Sequence, residues 1–157
     1  MRYFLGAVCA ALLVVGCQTL TVSVERPEGF AEFSNERTDR ASYRAVSPEG
    51  VVLQVRFVAN DPPKDLSFWR ETLQHHLQQE GYILLERQGE DGAITTPAGD
   101  GTILEWVAPV GDADFVYLTA LVVSGDSIIV AEAAGEHSIY EEYRDVLLQS
   151  LSTITVP

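Results

Sequence analysis

Residues 115–123 read Phe115-Val116-Tyr117-Leu118-Thr119-Ala120-Leu121-Val122-Val123, a run in which only Thr119 and the Tyr117 hydroxyl are polar. β-Branched and aromatic residues dominate it, so it reads as a strand over 114–123. Successive side chains of a strand point to opposite faces. Both sets here are apolar, so neither face is suited to water, and the strand reads as lying inside a sheet covered on both sides, or against a helix layer. The rest of the fold follows from supplying those two covers.

Working outward, Gly125-Asp126 closes the strand and 127–134 continues as its neighbour. Upstream, 102–110 is a third strand, set off by turn signals at Gly99-Asp100-Gly101 and Gly111-Asp112. Shorter strands are expected at 82–88 and 93–97, separated by Gly89-Glu90-Asp91-Gly92. Two more, 42–47 and 51–59, flank the turn Ser47-Pro48-Glu49-Gly50. In the second of these Val51, Leu53, Val55 and Phe57 share one face, while Gln54 and Arg56 share the other. The covers are two helices. Residues 65–80 step as Leu66, Trp69, Leu73, His76 or Leu77, and Glu80, with Asp65 as cap and Gly81 as a left-handed terminator. Residues 138–152 carry Ile139, Tyr143, Val146, Leu147 and Leu151, with Ser138 and Glu141 in a capping-box pattern. Short turns between strands imply antiparallel pairing. The fold class is therefore α+β: a mainly antiparallel sheet of about six to seven strands flanked by two helices, an α/β/α sandwich-like arrangement.

A chain of 157 residues with 46% hydrophobic content fits one domain with its own core. That globular domain is placed at 42–157. Residues 17–41 lead into it. Leu20, Val22 and Val24 alternate with polar residues before Pro27 and Gly29, so this part is a tether or an edge strand, with Phe30 and Phe33 as its first docking residues. The formal net charge is −13. Nucleic-acid binding needs a positive footprint, and scattered arginines with a single lysine, Lys64, do not form one. An anionic lipid surface would repel the chain, so any membrane attachment must come through the N-terminus.

The N-terminus carries that signal. Arg2 is followed by an unbroken apolar stretch from Tyr3 to Gly16, too short for a span of about 20 apolar residues and right for the apolar region of a secretory signal. Its end, Val14-Val15-Gly16-Cys17, resembles the lipobox of bacterial lipoproteins, with Val14 standing where leucine is more usual. The resemblance implies removal of the signal peptide, residues 1–16, attachment of a diacylglyceryl group to the Cys17 thiol, and acylation (typically palmitate) of the new amine. A thiol is the nucleophile such chemistry needs. Cysteine arithmetic agrees: Cys9 leaves with the leader, no disulfide remains possible, and lipidation accounts for the one cysteine left. Two or three acyl chains suffice for stable anchoring. Gln18 follows the cysteine; the resemblance to enteric-type lipoproteins, in which an aspartate there favours the inner membrane, implies the periplasmic side of the outer membrane, in an organism that has one.

The order of elements, the opening Tyr43-Arg44-Ala45-Val46-Ser47-Pro48-Glu49-Gly50, the helix closing at Gly81-Tyr82 and the strand ending Glu132-Ala133-Ala134-Gly135 resemble the PsbP/Mog1-like family. The resemblance runs from about Tyr43 to Ile154. It implies an antiparallel sheet flanked by helices and an accessory or binding role, often in small bacterial lipoproteins. It defines no functional residues.

Candidate chemistry is sparse. His75 and His76 are adjacent on a helix, so they point about 100° apart and do not converge on a metal; His137 is distant in sequence. Glu90-Asp91-Gly92 and Asp112-Ala113-Asp114 lack calcium-loop spacing and read as turns. Glu132 continues the face of Ile128 and Val130. Burial would raise its pKa and suit it to proton transfer, whereas a strand-end position facing solvent, or a partner arginine such as Arg56, would make it structural. The second alternative is favoured. Trp69 and Trp106 read as core rather than pocket lining. Nucleophile elbows, Walker loops, dinucleotide fingerprints and CxxC pairs are absent. The sequence thus assigns no catalytic, cofactor-binding or metal residue. It points to a non-enzymatic accessory or protein-interaction module, anchored to the membrane through lipid on Cys17, with an envelope protein as partner and no nucleic acid. The alternative is a small-ligand-binding or enzymatic domain acting on a cell-envelope molecule.

The anchor is directly testable. Wild-type protein should enter the detergent phase in a cloud-point separation, with an intact mass showing loss of residues 1–16 and gain of acyl chains. Cys17→Ser should stay in the aqueous phase, and equal partitioning of the two forms would rule out lipidation.

Overall fold

The computed structural model describes residues 22–33, 43–87, 91–108 and 114–156. Among these residues eight strands and two helices follow one another as β1 (Ala31–Glu32), β2 (Tyr43–Val46), β3 (Val52–Ala59), α1 (Leu66–Gln79), β4 (Ile83–Leu84), β5 (Ala93–Thr96), β6 (Gly99–Ala108), β7 (Phe115–Ser124), β8 (Ser127–Glu136) and α2 (His137–Leu151). They form one sheet in the order β1-β2-β3-β8-β7-β6-β4, with β5 also paired to β6. Every pairing is antiparallel. The α+β class holds, with eight strands once the two-residue β1 and β4 are counted.

β7 lies between β6 and β8 and is covered twice. On one face Val116, Leu118, Ala120 and Val122 join Leu53, Val55, Ile129, Ala131 and Ala133 in a buried cluster, closed by Tyr140, Leu147 and Leu151 of α2. On the other face Leu121, Ile128 and Val130 lie under Leu66, Trp69 and Leu73 of α1, while Leu104 and Trp106 meet Leu77. Each large side chain buried in this way contributes roughly 1.5–3 kcal/mol. Apolar burial is thus the main holding force of the three layers. Of the pair left open at the end of α1, Leu77 is the buried residue and His76 faces solvent.

Local chemistry sets the ends of α1. The Asp65 carboxylate accepts from the Phe68 N–H at 2.9 Å, and also from the Ser67 hydroxyl. At the other end Gly81 has φ +89°. The N–H of Gly81 donates to the Gln78 carbonyl and that of Tyr82 to the Leu77 carbonyl. These two bonds make a Schellman terminus, which needs the left-handed backbone that glycine tolerates.

Several sequence expectations shift. α2 starts at His137 with Glu136 at the cap position, so Ser138 and Glu141 do not form a capping box. The Ser138 hydroxyl instead donates to Glu136, and Glu141 is drawn away by Arg87. The deepest aromatic residue of α2 is Tyr140, which the expected stripe omitted. Gly99-Asp100-Gly101 is not a turn but the start of β6; the turn is Pro97-Ala98, since Thr96 already faces Gly99. The expected strand over 82–88 is reduced to β4, plus one further bond from the Leu85 N–H to the Glu105 carbonyl. Phe30 docks as expected, edge-on to Tyr143 at 5.3 Å, but Phe33 does not and is 48% exposed. Its N–H extends the β1 pairing to Arg44, and its side chain is left on the solvent side of that short edge strand.

Residues 22–30 run back along α2 rather than hanging free. Val22, Val24 and Phe30 are buried in the main cluster. Ser23 exchanges backbone bonds with Thr155 at 3.0 and 2.9 Å, and the Glu25 carbonyl accepts from the Ser150 hydroxyl.

Gly101 of β6 is a position in the sheet that admits no side chain. A Cβ on Gly101 would lie 2.5 Å from the Leu121 carbonyl oxygen and 2.8 Å from Val122 Cγ2. Gly101→Ala should therefore force β6 and β7 apart and cost about 1–3 kcal/mol, as overpacking does. Urea unfolding would show a lower midpoint with an unchanged slope; an unchanged midpoint would mean that the contact relaxes freely.

Candidate functional site

Two charged clusters are built on the sheet, one on each face. Alternation along β8 puts Glu132 on the α1 face together with Ile128 and Val130. Neighbouring strands supply its partners by register, because Gln54 and Thr119 stand opposite it on β3 and β7. The Gln54 amide donates to it at 2.9 Å. Arg56 makes a forked contact, Nε to Oε2 at 3.1 Å and a terminal nitrogen to Oε1 at 3.3 Å. The Tyr117 hydroxyl donates to Oε1. Burial works against the charged carboxylate here, but the bonds from Arg56 and Tyr117 outweigh it and hold the Glu132 pKa below the ordinary glutamate value. The same burial, with Glu132 beside it, raises the Tyr117 pKa. Glu132 is therefore a fixed anion rather than a proton-transfer group with a raised pKa. The pairing with Arg56 read from the sequence is the one that forms.

The second cluster was not identified from the sequence. Glu105 stands between Leu104 and Trp106 on β6, facing α2, with its side chain 3% exposed. Its Oε1 accepts from the Tyr140 hydroxyl at 2.9 Å and from Arg144 Nε at 2.8 Å, both on α2. Its Oε2 accepts from Arg87 Nε, just beyond β4. The far side of that guanidinium binds Glu141 of α2 at 2.6 and 3.2 Å. The bond to Glu141 is the main cause that raises the Arg87 pKa, and Arg87 holds the Glu141 pKa down. Burial, with Glu105 adjacent, raises that of Tyr140. One buried carboxylate thus ties a sheet strand, a helix and a loop together. A signal for it exists in the sequence: a lone glutamate inside the apolar strand Ile103-Leu104-Glu105-Trp106-Val107. A charge there must be compensated.

Arg87 and Glu105 also line a cleft of about 640 Å³. It opens where the sheet edge is interrupted, because β4 pairs with Trp106–Val107 of β6 and β5 with Gly99–Thr102, with Ile103–Glu105 between the two. The Gly92 carbonyl accepts from the Ile103 N–H and closes the ladder on the far side of the gap. Apolar walls come from Leu84, Ile94, Ile103 and Leu148. Arg70 enters from α1 and Arg144 from α2, while Glu86 and Asp91 add negative charge. Cations and carboxylates are balanced around the opening.

The other sequence candidates stay apart from this cleft. His75 and His76 are exposed on α1, with His75 beside the Gln79 amide at 3.0 Å. His137 lies 3.5 Å from Glu141. Trp106 is fully buried, its Nε1 bonded to Thr119. Trp69 is half-buried and its Nε1 donates to Asn60 Oδ1 at 2.8 Å. Asp112-Ala113, Glu90 and Cys17, the residue expected to be lipidated, lie outside the described residues. Among the described residues no group of three or more His, Cys, Asp or Glu is placed to hold a metal ion.

Solved structures share this architecture. LpqN, involved in cell envelope biogenesis of Mycobacterium tuberculosis, superposes with a TM-score of 0.59 at 11% identity, over 91% of this chain and 87% of LpqN. The solution structure of cyanobacterial PsbP (CyanoP) from Synechocystis sp. PCC 6803 gives 0.54 at 15% identity, over 98% of this chain and 99% of CyanoP. The fold is PsbP-like. Identities this low describe the fold alone. No protein-family model and no curated protein matches the chain.

The Glu132 cluster predicts a pH-dependent effect. A carboxylate whose pKa is lowered by folding stabilises the fold above its unfolded value, near 4.3 for glutamate, and loses that contribution as pH falls through the folded value. Arg56→Met removes the main partner and should cost about 1–3 kcal/mol at neutral pH, the range for a buried polar group left without its bond. The penalty should shrink toward pH 4.5, where Glu132 can take up a proton instead. Urea titrations of both forms at the two pH values check this, and a pH-independent penalty would contradict it.

Proposed function

We propose that this chain is a lipid-anchored, non-enzymatic accessory module of the cell envelope, on the periplasmic side of the outer membrane, that holds an envelope protein at the interrupted edge of its sheet. The observation that carries this reading is how the charged groups at the cleft are spent. Glu105, Arg87, Arg144, Tyr140 and Glu141 are bonded to one another, so the edge is a fixed, shaped surface. A general acid or base works best with its pKa near the operating pH. The shifts at Glu141, Arg87 and Tyr140 run away from that range. Fixed polar groups around an apolar floor suit recognition instead. The lipobox resemblance at Cys17 supports the anchor. The PsbP-like fold, shared with a protein involved in cell envelope biogenesis, fits an accessory role in the same compartment. Among the described residues no helix is long and apolar enough to cross a membrane, and the reading places attachment at the lipid.

A second reading is favoured by the size of the cleft. At about 640 Å³ it falls within the range of roughly 300–1,000 Å³ usual for small-molecule sites. A small envelope molecule would then occupy the space that the first reading gives to a protein segment.

Site-specific photo-cross-linking in the native membrane separates the two. A cross-linker at Glu86, beside the cleft, should give one discrete protein adduct, absent with the cross-linker at Glu71 on the outer face of α1 and lost in Cys17→Ser. The small-ligand reading predicts no protein adduct. It predicts instead a bound mass in native mass spectrometry of detergent-extracted protein, abolished when Leu148→Trp fills the cleft. Neither adduct nor bound mass would remove the cleft from consideration.

A further inference from the structure

The antiparallel register gathers one set of loops at one end of the sheet. There Ala59 faces Ser127, Ser124 faces Ser127 across Gly125-Asp126, and Thr96 faces Gly99 across Pro97-Ala98. Asn60 is tied to this end by its N–H to the Asp126 carbonyl at 2.9 Å. The chain after α2 arrives there too, since the Ala98 N–H donates to the Ile154 carbonyl at 3.1 Å. Ser23 pairs with Thr155 next to it. The described N-terminal segment therefore leaves the domain at this same end. Val22 stands five residues beyond Cys17 in the sequence. Five residues span at most roughly 17 Å. A lipid on Cys17 would hold this end, and not the cleft, against the bilayer.

This end displays apolar surface on the α1 side. Val58 is 37% exposed and Phe68 43% exposed. Val58 follows Arg56 on the face of β3 that α1 covers, opposite Ile128. Phe68 lies in the first turn of α1, off the Leu66, Trp69 and Leu73 stripe that packs on the sheet. Pro62 and Pro63 are exposed between them. The loop is firmly held. Asn60 is buried, its side chain accepts from the Lys64 N–H at 2.9 Å and donates to the Lys64 carbonyl at 3.0 Å, and it also receives the Trp69 indole. Phe68 is fixed edge-on to Trp69 at 5.3 Å, with Lys64 Nζ over its ring at 5.3 Å. A rigid aromatic side chain beside an ammonium group matches the chemistry of a bilayer interface, where aromatic rings sit at headgroup depth and cations meet phosphate. Asp61, Asp65, Asp100 and Asp126 belong to the same end, so an anionic surface would repel it while a zwitterionic one would not.

We propose that this end of the domain docks on a zwitterionic lipid surface, with Phe68 and Val58 entering the headgroup layer and Lys64 at phosphate level. The proposal rests on the lipid anchor. It adds an orientation: the sheet axis stands off the membrane, and the opposite end, where α2 begins, faces away.

The test uses full-length lipidated protein on phosphatidylcholine vesicles. With Cys17 blocked by lipid, a single thiol introduced by Pro63→Cys or by Ser138→Cys can carry a polarity-sensitive fluorophore. The label at position 63 should shift to the blue on vesicles, and the label at 138, at the far end, should not. Val58→Ser with Phe68→Ser should abolish the shift while the protein still co-sediments. Vesicles rich in anionic lipid should give a smaller shift. Co-sedimentation without a shift at 63, or equal shifts at both positions, would overturn the docking proposal and leave the anchor standing. Loss of co-sedimentation in the wild type would instead remove the anchor itself.

Discussion

A ten-residue strand with two apolar faces can be stable in water only if it is covered twice, and β7 sets that requirement for the whole chain. Its neighbours β6 and β8 satisfy its backbone, and the two helices cover its faces. The division of labour is unequal. α2 closes the larger cluster, which spans the sheet from β2 to β7 and also recruits residues 22–30. α1 covers two smaller patches and leaves the Glu132 end of its face polar. Removing the cover from either face would expose a row of large side chains at about 25 cal/mol per Å², far more than any single ion pair in the molecule can supply.

The ion pairs therefore specify placement rather than supply the bulk of the stability. Two carboxylates enter the layers, and both are neutralised in place. Glu132 is satisfied by side chains of the neighbouring strands β3 and β7, so it fixes registration within the sheet. Glu105 is satisfied mainly from outside the sheet, by Tyr140 and Arg144 of α2 and by Arg87. It fixes where the helix sits and where the chain leaves the edge after β4. A buried pair of this kind adds little net stability against an apolar replacement, yet breaking one partner leaves an uncompensated charge. That asymmetry gives the cleft a firm boundary.

The periodic elements were legible because their signals are local. The double-faced run 115–123, the Asp65 cap and the Gly81 terminator each depend on a few adjacent residues, and each is found where expected. The Glu132–Arg56 pair was only partly legible: alternation puts both residues on the polar-tolerant side of their strands, but that β3 and β8 are neighbours, with Gln54 opposite Glu132 and Arg56 one pair along, comes from the sheet order. What escaped depends on distant parts of the chain. Glu105 looks anomalous within its strand, but its partners lie 18, 35 and 39 residues away on a loop and a helix, and no spacing rule links them. α2 starts one residue earlier than expected, with Glu136 at the cap position, and Glu141, the expected capping-box partner, pairs with Arg87 from a distant part of the chain. The cleft escaped for the same reason: it is the gap between two short strands that share one neighbour, and neither strand reveals that it is short.

These placements divide the molecule by task. The interrupted edge lies along the side of the sheet, braced by Glu105, and the segment leading back toward Cys17 leaves from one end. A site on the side remains accessible when the end is held at a surface; a site at the end would not. Anchoring at the end that carries residues 22–23 and 154–155, as proposed, would leave the cleft open to a partner approaching parallel to the membrane. The place where residues 22–23 leave the domain and the exposed Phe68 are both compatible with the proposed orientation, although each is fixed by a different set of residues.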